Sequence, residues 1–410
     1  MTSARPLVAR AALFSTLIAA MALSGCAGTT APAMPGAATS ASDPASTGTA
    51  HGVVAGAEEV SEPPLALLSV DAAGAVGLVD LLTGEASELG AAGTPSALAS
   101  DGRYGFVTTP DGVAIVDSGR WSWNHGDHFH FYLAPPRVIG TVPGAGVATV
   151  TWGILSTAGS TGIRFADSGD AVLLDNAALS RGEIVETFRL QTPPGPGLIA
   201  PLHDGALVTH GEHLVYYGPG GEATDAAAPC AGASGAITTV AALAIGCADG
   251  ALLATWEDGR VVFTHVPFPT DAAADRATAF DGRKGRPTVA ALAGAAGFWL
   301  LDTRAATWQF VATRSPLVHV TAVDDADGHV VALDVEGRVR VFRDGAELAA
   351  TDPLIAAVTA GVSLTLDGQR AYLNDPSAGL VHETDYADGA RVARTLQTPT
   401  APFFLAEVGR

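Results

Sequence analysis

Ala360-Gly361-Val362-Ser363-Leu364-Thr365-Leu366-Asp367-Gly368-Gln369-Arg370-Ala371-Tyr372-Leu373-Asn374 is the stretch that decides the fold. It reads as a short apolar run, an Asp-Gly turn and a second apolar run, the pattern of two strands joined by a tight turn. Two more strand-like runs follow, Gly379–Thr384 and Arg391–Leu396, the last of them more polar. The preceding stretch, Leu317 to Ala350, repeats the scheme. Working back along the chain, further units start near Ala97, Ala148, Leu198, Ala236 and Arg276, with the last two units starting near Leu317 and Ala357. Roughly forty residues and four strands per repeat are the pattern of a β-propeller. Leu65 to Leu89 supplies only three strands of one more unit, and Phe403-Phe404-Leu405-Ala406-Glu407 can supply its missing inner strand. The expected fold is therefore an all-β propeller of about eight four-stranded blades. Seven is the runner-up, because the units near Leu198 and Arg276 are poorly patterned.

Composition agrees with many short strands and turns. The chain has 48 Gly and 25 Pro in 410 residues, and only 16% of its residues are charged. No long stretch of 3.6-residue periodicity argues for a helical bundle. With 42 Asp+Glu against 22 Lys+Arg the net charge is −20. That balance excludes a basic nucleic-acid surface, which needs clustered cations to displace counterions from phosphate.

The N-terminus reads as an export signal. Arg5 and Arg10 precede a short apolar core, Ala11 to Leu23, and Leu23-Ser24-Gly25-Cys26 forms a lipobox. The apolar core is too short for a transmembrane span. Residues 1–25 are expected to be a lipoprotein signal peptide, with Cys26 the lipid-acceptor residue and the mature protein anchored to the cell membrane by acyl chains. Residues 26–63, rich in Ala, Ser, Thr, Gly and Pro, are expected to be a flexible spacer. The propeller is expected over 64–410. In an exported protein the remaining Cys230 and Cys247 are expected to form a disulfide. The alternative, two zinc-binding thiolates, finds no second Cys or His close to either.

Some twenty residues separate Val113–Asp117 from the next strand, Arg137–Val142, where neighbouring units use three to six. That insertion carries Trp121-Ser122-Trp123-Asn124-His125-Gly126-Asp127-His128-Phe129-His130-Phe131-Tyr132. Three imidazoles and a carboxylate in six residues are a ligand set for zinc: His125, Asp127, His128 and His130. Gly126 between them suits a loop that wraps an ion. His203, His210 and His213 lie near one another in sequence and form a possible secondary metal site. No nucleophile elbow, His-Glu-x-x-His helix or phosphate-binding glycine loop is present. The site is therefore read as binding, not catalytic.

This His-rich loop resembles that of the AztD-like zinc metallochaperones, and Gly246-Cys247-Ala248-Asp249-Gly250 and Leu405-Ala406-Glu407-Val408-Gly409-Arg410 are similar to family segments. The resemblance implies an extracytoplasmic β-propeller that binds Zn2+ and hands it to the solute-binding protein of a zinc ABC transporter. The chain departs from the family pattern at Pro194-Gly195-Pro196-Gly197 and Ala231-Gly232-Ala233-Ser234, where relatives carry histidines. A second zinc site fed by those positions would have to be lost or rebuilt here. The expected protein is monomeric, non-enzymatic and without a nucleic-acid partner. Two other readings are an interaction scaffold without metal function and a lactonase-like propeller hydrolase. The latter would gather acidic ligands at the central channel.

Overall fold

Many of the Asp residues that end or follow a strand in the repeat cap the turn after them. In a computed structural model, which describes residues 54–124, 128–270 and 274–410, Asp367 Oδ1 accepts the backbone N–H groups of Gln369 and Arg370 at 2.6 and 2.8 Å. Asp101 Oδ1 does the same for Arg103 and Tyr104 at 2.8 and 2.7 Å. These side-chain bonds satisfy turn N–H groups that the sheet cannot reach. The glycine that follows the Asp has a different duty in Asp111-Gly112 and Asp249-Gly250. A Cβ on Gly112 (φ +136°) would lie 2.1 Å from the Val142 carbonyl, and one on Gly250 (φ +159°) would lie 2.1 Å from that of Val266. The outer strand therefore packs directly on the glycine backbone.

The strands build eight four-stranded antiparallel sheets and one three-stranded sheet. Seven of the eight follow chain order from inner to outer strand. Blade 2 takes Ala97–Ser100, Tyr104–Thr109, Gly112–Asp117 and Arg137–Pro143, and blade 3 runs from Ala148–Trp152 to Glu186–Gln191. Blades 4 to 8 begin at Ile199–Leu202, Ser234–Thr238, Thr278–Asp281, Leu317–Ala322 and Leu364–Leu366. Blade 1 is the exception. Its Ala66–Val70, Ala75–Asp80 and Ala86–Ala91 receive Phe404–Val408 as the inner strand, in the register Ala66↔Val408 to Val70↔Phe404. The two poorly patterned units are full blades. Their inner strands have only four residues, one broken by a bulge and the other containing Pro201.

Middle strands such as Tyr104–Thr109 and Gly112–Asp117 are buried throughout, while the outer Ala86–Ala91 and Arg391–Gln397 are mostly exposed. The core is a ring of apolar seams between neighbouring blades. Leu68, Leu78, Val107 and Val116 join blades 1 and 2, and Phe106, Ile115, Ile163 and Val172 join blades 2 and 3. The same relation holds for each later pair. Leu67, Val79, Tyr372, Val381 and Leu405 then join blade 8 back to blade 1. A closed ring leaves no inner or lateral sheet face exposed.

Of three further features, the first was expected and the other two add to the sequence reading. Cys230 and Cys247 are joined by a disulfide between blades 4 and 5. A single helical turn, Asn176–Arg181, follows the third strand of blade 3, capped by Asp175 and ended by Gly182. Residues 54–63 fall within the stretch expected to be spacer, yet Glu58–Val60 forms a strand in the three-stranded sheet. Its pairing with a strand remote in sequence is what orders it. Cys26 lies outside the described residues, and among those residues no helix is long and apolar enough to cross a membrane.

Ring closure should carry much of the stability. Leu405→Ala, in the seam between blades 8 and 1, is expected to cost about 2–5 kcal/mol in urea unfolding. Leu82→Ala, in an exposed turn of the same blade, should change stability by less than about 0.5 kcal/mol.

Candidate metal centre

The insertion in blade 2 alternates large side chains at period two, Trp121 and Trp123 on one arm and His128, His130 and Tyr132 on the other. This is the periodicity of a strand pair. The sequence reading expected a loop wrapped around an ion. The structure instead forms a hairpin, Arg120–Asn124 with Phe129–Leu133, in the register Trp121↔Tyr132, Trp123↔His130 and Asn124↔Phe129. His125, Gly126 and Asp127 lie outside the described residues. Glu58–Val60 adds a third strand, with Glu59 opposite Tyr132. Directly paired residues point to the same face of a sheet, so Glu59 stands on the histidine face.

That face is a column built up from a buried ion pair. Arg103 Nε and Nη2 donate to the two Asp117 oxygens, each at 2.9 Å, and Asp117 also accepts the Gly119 N–H at 3.0 Å. The Arg103 guanidinium lies 3.9 Å from the centre of the Trp121 ring, a cation–π contact that both fixes the arginine and supports the hairpin. Trp121 stacks on Tyr132 at 5.1 Å, Tyr132 on His130 at 6.2 Å, and His130 meets His128 edge-on at 4.6 Å. Arg120 pairs with Asp80 at 2.8 Å, and Ser122 Oγ donates to the Gly409 carbonyl at 2.8 Å. The hairpin is thus fastened to blade 1 and to the closing segment. Burial, with a smaller contribution from the Glu59 charge, holds the Tyr132 phenol above its usual range. The phenol therefore stays protonated at neutral pH.

At the top of the column the two imidazoles converge. His128 Nε2 and His130 Nε2 are 3.0 Å apart, and His130 Nδ1 lies 2.6 Å from Glu59 Oε1. With both imidazoles neutral, one assignment satisfies both contacts: His130 donates from Nδ1 to the carboxylate, and its Nε2 lone pair accepts from His128. Two imidazole nitrogens on one tetrahedral zinc stand about 3.3 Å apart, given bonds of 2.0–2.1 Å. The pair therefore needs to open by only a few tenths of an ångström to hold a metal where it now shares a proton. Carboxylate on the far nitrogen is the usual arrangement around a zinc-bound histidine, where it fixes the tautomer and raises ligand basicity. His130 and Tyr132 are buried, whereas His128 and Phe129 at the tip are exposed. Among the described residues no group of three or more His, Cys, Asp or Glu is placed to hold a metal. Two of the four expected ligands are thus brought together and the other two lie between Asn124 and His128.

Glu59 escaped sequence reading. Its only signal is a carboxylate pair, Glu58-Glu59, in a stretch otherwise read as spacer.

The secondary histidines do not form one site. His203 occupies the turn between the first two strands of blade 4 with φ +55°, stacks on Trp256 at 4.3 Å and lies 3.0 Å from Asp204. Its contact, with that of Tyr216, holds the Asp204 carboxyl below the usual range. His210 and His213 face each other across a two-residue turn at the other end of the blade. Strand Gly205–His210 separates the two ends by about 20 Å. His319, His329 and His265 bond within the fold, to the Val362 carbonyl, Asp325 and Asp249.

No family model and no curated protein matches the chain. Among solved structures it is similar to AztD from Citrobacter koseri, at 18% identity and a TM-score of 0.72, covering 84% of this chain and 97% of that one. The apo form of that protein gives a TM-score of 0.71 over the same shares. The dihydro-heme d1 dehydrogenase NirN in complex with DHE gives 0.55 at 14% identity, over 85% of this chain and 76% of that one. At these identities the likeness is one of fold, and it extends over nearly the whole AztD chain.

The base of the column is open to direct test. Arg103→Met leaves Asp117 buried without its partner and should destabilise the protein by about 3–5 kcal/mol. Urea unfolding followed by tryptophan fluorescence reads both that loss and the altered packing of Trp121.

Proposed function

We propose that this protein is an extracytoplasmic zinc-binding propeller that captures zinc on the tip of the blade 2 hairpin and passes it to the solute-binding protein of a zinc ABC transporter. The observation that carries this reading is the convergence of His128 Nε2 and His130 Nε2 at 3.0 Å with Glu59 fixed on His130 Nδ1. The near-complete overlap with AztD supports it. Zinc here is cargo. His128 and His130 supply two imidazole ligands, and His125 and Asp127, between Asn124 and His128, would complete the set. His130 is the fixed ligand, held in its rotamer by Glu59, Trp123 and Tyr132. His128 is the exposed one, reachable by an incoming ligand from a partner. Release through exchange of ligands one at a time starts from the exposed side.

Export and anchoring through Cys26 would hold the site outside the cytoplasm and confine its search for the transporter to the membrane surface. The hydrolase reading expected acidic ligands at the central channel. The channel cavity is lined by two carboxylates, Asp101 and Asp281, together with Arg283, Lys284, Arg286 and Arg410, and both carboxylates accept hydrogen bonds within the fold.

Competition titration of the mature protein against a chromophoric zinc chelator tests the proposal. One zinc is expected per chain, with affinity falling toward acid pH as the imidazoles take up protons. Replacing His125, His128 and His130 together by Ala should abolish that binding. Glu59→Gln, which touches no proposed ligand atom of the metal, should weaken it about 10–100-fold. Wild-type affinity in the triple variant would overturn the assignment.

A further inference from the structure

The molecule contains one lysine in 410 residues, Lys284. It sits in the connection between the inner strand of blade 6, Thr278–Asp281, and its neighbour Thr288–Leu292. The corresponding turn in blade 4, between Leu202 and Gly205, spans two residues, and this one spans 282–287. The extra length is folded inward. Gly282 bridges to Ala322 of blade 7, the Arg283 N–H donates to the Ala322 carbonyl at 3.0 Å, and the Arg286 N–H donates to that of Arg283 at 3.2 Å. Arg283, Lys284 and Arg286 thereby line a cavity of about 380 Å³ in the central channel. Arg410, which follows the closing strand, reaches the same cavity. Four of the chain's 22 cationic residues meet there, in a protein of net charge −20.

These cations are poorly compensated. The Arg283 and Arg286 guanidinium groups make no hydrogen bond or ion pair among the described residues. Lys284 Nζ has one long contact, 3.4 Å to the Arg410 carbonyl. Arg410 Nη1 donates to the Leu366 carbonyl at 2.8 Å, and its Nε lies 2.9 Å from Glu407 Oε2 without making a well-directed hydrogen bond. The nearby carboxylates are otherwise engaged. Asp101 accepts two backbone N–H groups of its own turn, and Asp281 accepts the Gly282 N–H and the Thr321 hydroxyl. Glu407 is wholly buried, and burial pushes its carboxyl up to about 8. Burial likewise holds the Lys284 ammonium below its usual range, so both groups are poorly solvated. Unpaired cations in a partly enclosed cavity are costly unless an anion joins them. Apolar Leu98, Trp152, Ile237 and Phe280 also line the cavity.

We propose that this end of the channel binds a small organic anion, its carboxylate or phosphate groups held by Arg283, Lys284, Arg286 and Arg410 and its carbon skeleton against Trp152 and Phe280. Guanidinium groups match the planar geometry of carboxylate and phosphate, while the ammonium supplies a point charge. A cavity of this volume is at the lower end of small-molecule sites. The site is separate from the hairpin histidines and does not depend on the zinc reading.

Isothermal titration calorimetry with citrate and with inorganic phosphate, at constant ionic strength and with chloride as the control anion, tests the proposal. Saturable binding of one equivalent of at least one probe is expected. Lys284→Met and the rim variant Arg286→Gln should each weaken it at least about tenfold, the loss of one charge-assisted contact. Arg286 is exposed, so its variant reads the site even where Lys284→Met does not fold. Zinc binding should be unchanged in both. No saturable heat with either probe at millimolar concentration, or binding undiminished in Arg286→Gln and in a folded Lys284→Met, would overturn the proposal. A response to citrate alone would assign the site to carboxylates, and a response to phosphate alone to phosphate groups.

Discussion

Closure of the ring by five residue pairs between Phe404–Val408 and Ala66–Val70 is the constraint on which the remaining structure depends. A propeller whose first blade lacked its inner strand would expose a sheet edge to the channel and an apolar seam on either side. Closure also gathers the two ends of the described chain at one end of the channel. Gly409 donates to the Gly102 carbonyl and its own carbonyl accepts from Ser122 of the hairpin. Glu58–Val60, a few residues ahead of blade 1, is brought beside the hairpin and pairs with it. Arg410 reaches Lys284 because the closing strand returns to start the ring, and Glu59 reaches His130 because its strand leads into blade 1, beside the hairpin of blade 2.

The hairpin joins a rigid base to exposed side chains, the combination that the proposed capture and release of zinc would require. Its base is held by a buried ion pair and stacked rings, and the Glu59 carboxylate holds the buried His130 at Nδ1. Asn124, His128 and Phe129 at its far end are exposed, whereas His130 is buried. A site fixed throughout would hold its cargo, and a site loose throughout would not assemble its ligands. The arrangement places one buried and one exposed candidate ligand, His130 and His128, two residues apart on one strand face.

Much of the fold was legible because propeller blades write local signals: short apolar runs, Asp at turn starts, and Gly where an outer strand packs on the backbone. The closing strand was legible from arithmetic, since the first unit lacked one run and the last residues supplied it. The candidate site was legible in composition but not in form. Gly126 and the histidines suggested a wrapped loop, although Trp121-Ser122-Trp123 and His128-Phe129-His130-Phe131-Tyr132 already carry a strand's alternation. Glu59 and the channel cations were not legible, because each depends on segments remote in sequence. Glu59 meets His130 across 71 positions, and Lys284 meets Arg410 across 126. His203, His210 and His213 were grouped by sequence proximity, which a six-residue strand converts into opposite ends of a blade.

The central claim is that zinc is held at the hairpin tip by His128 and His130. Anomalous diffraction at the zinc edge, from crystals of the mature protein loaded with one equivalent of zinc, tests it most directly. The account predicts a single peak within bonding distance of both Nε2 atoms, with the Glu59 carboxylate still on His130 Nδ1. A peak at the His210–His213 turn, in the channel, or nowhere on the chain would contradict it.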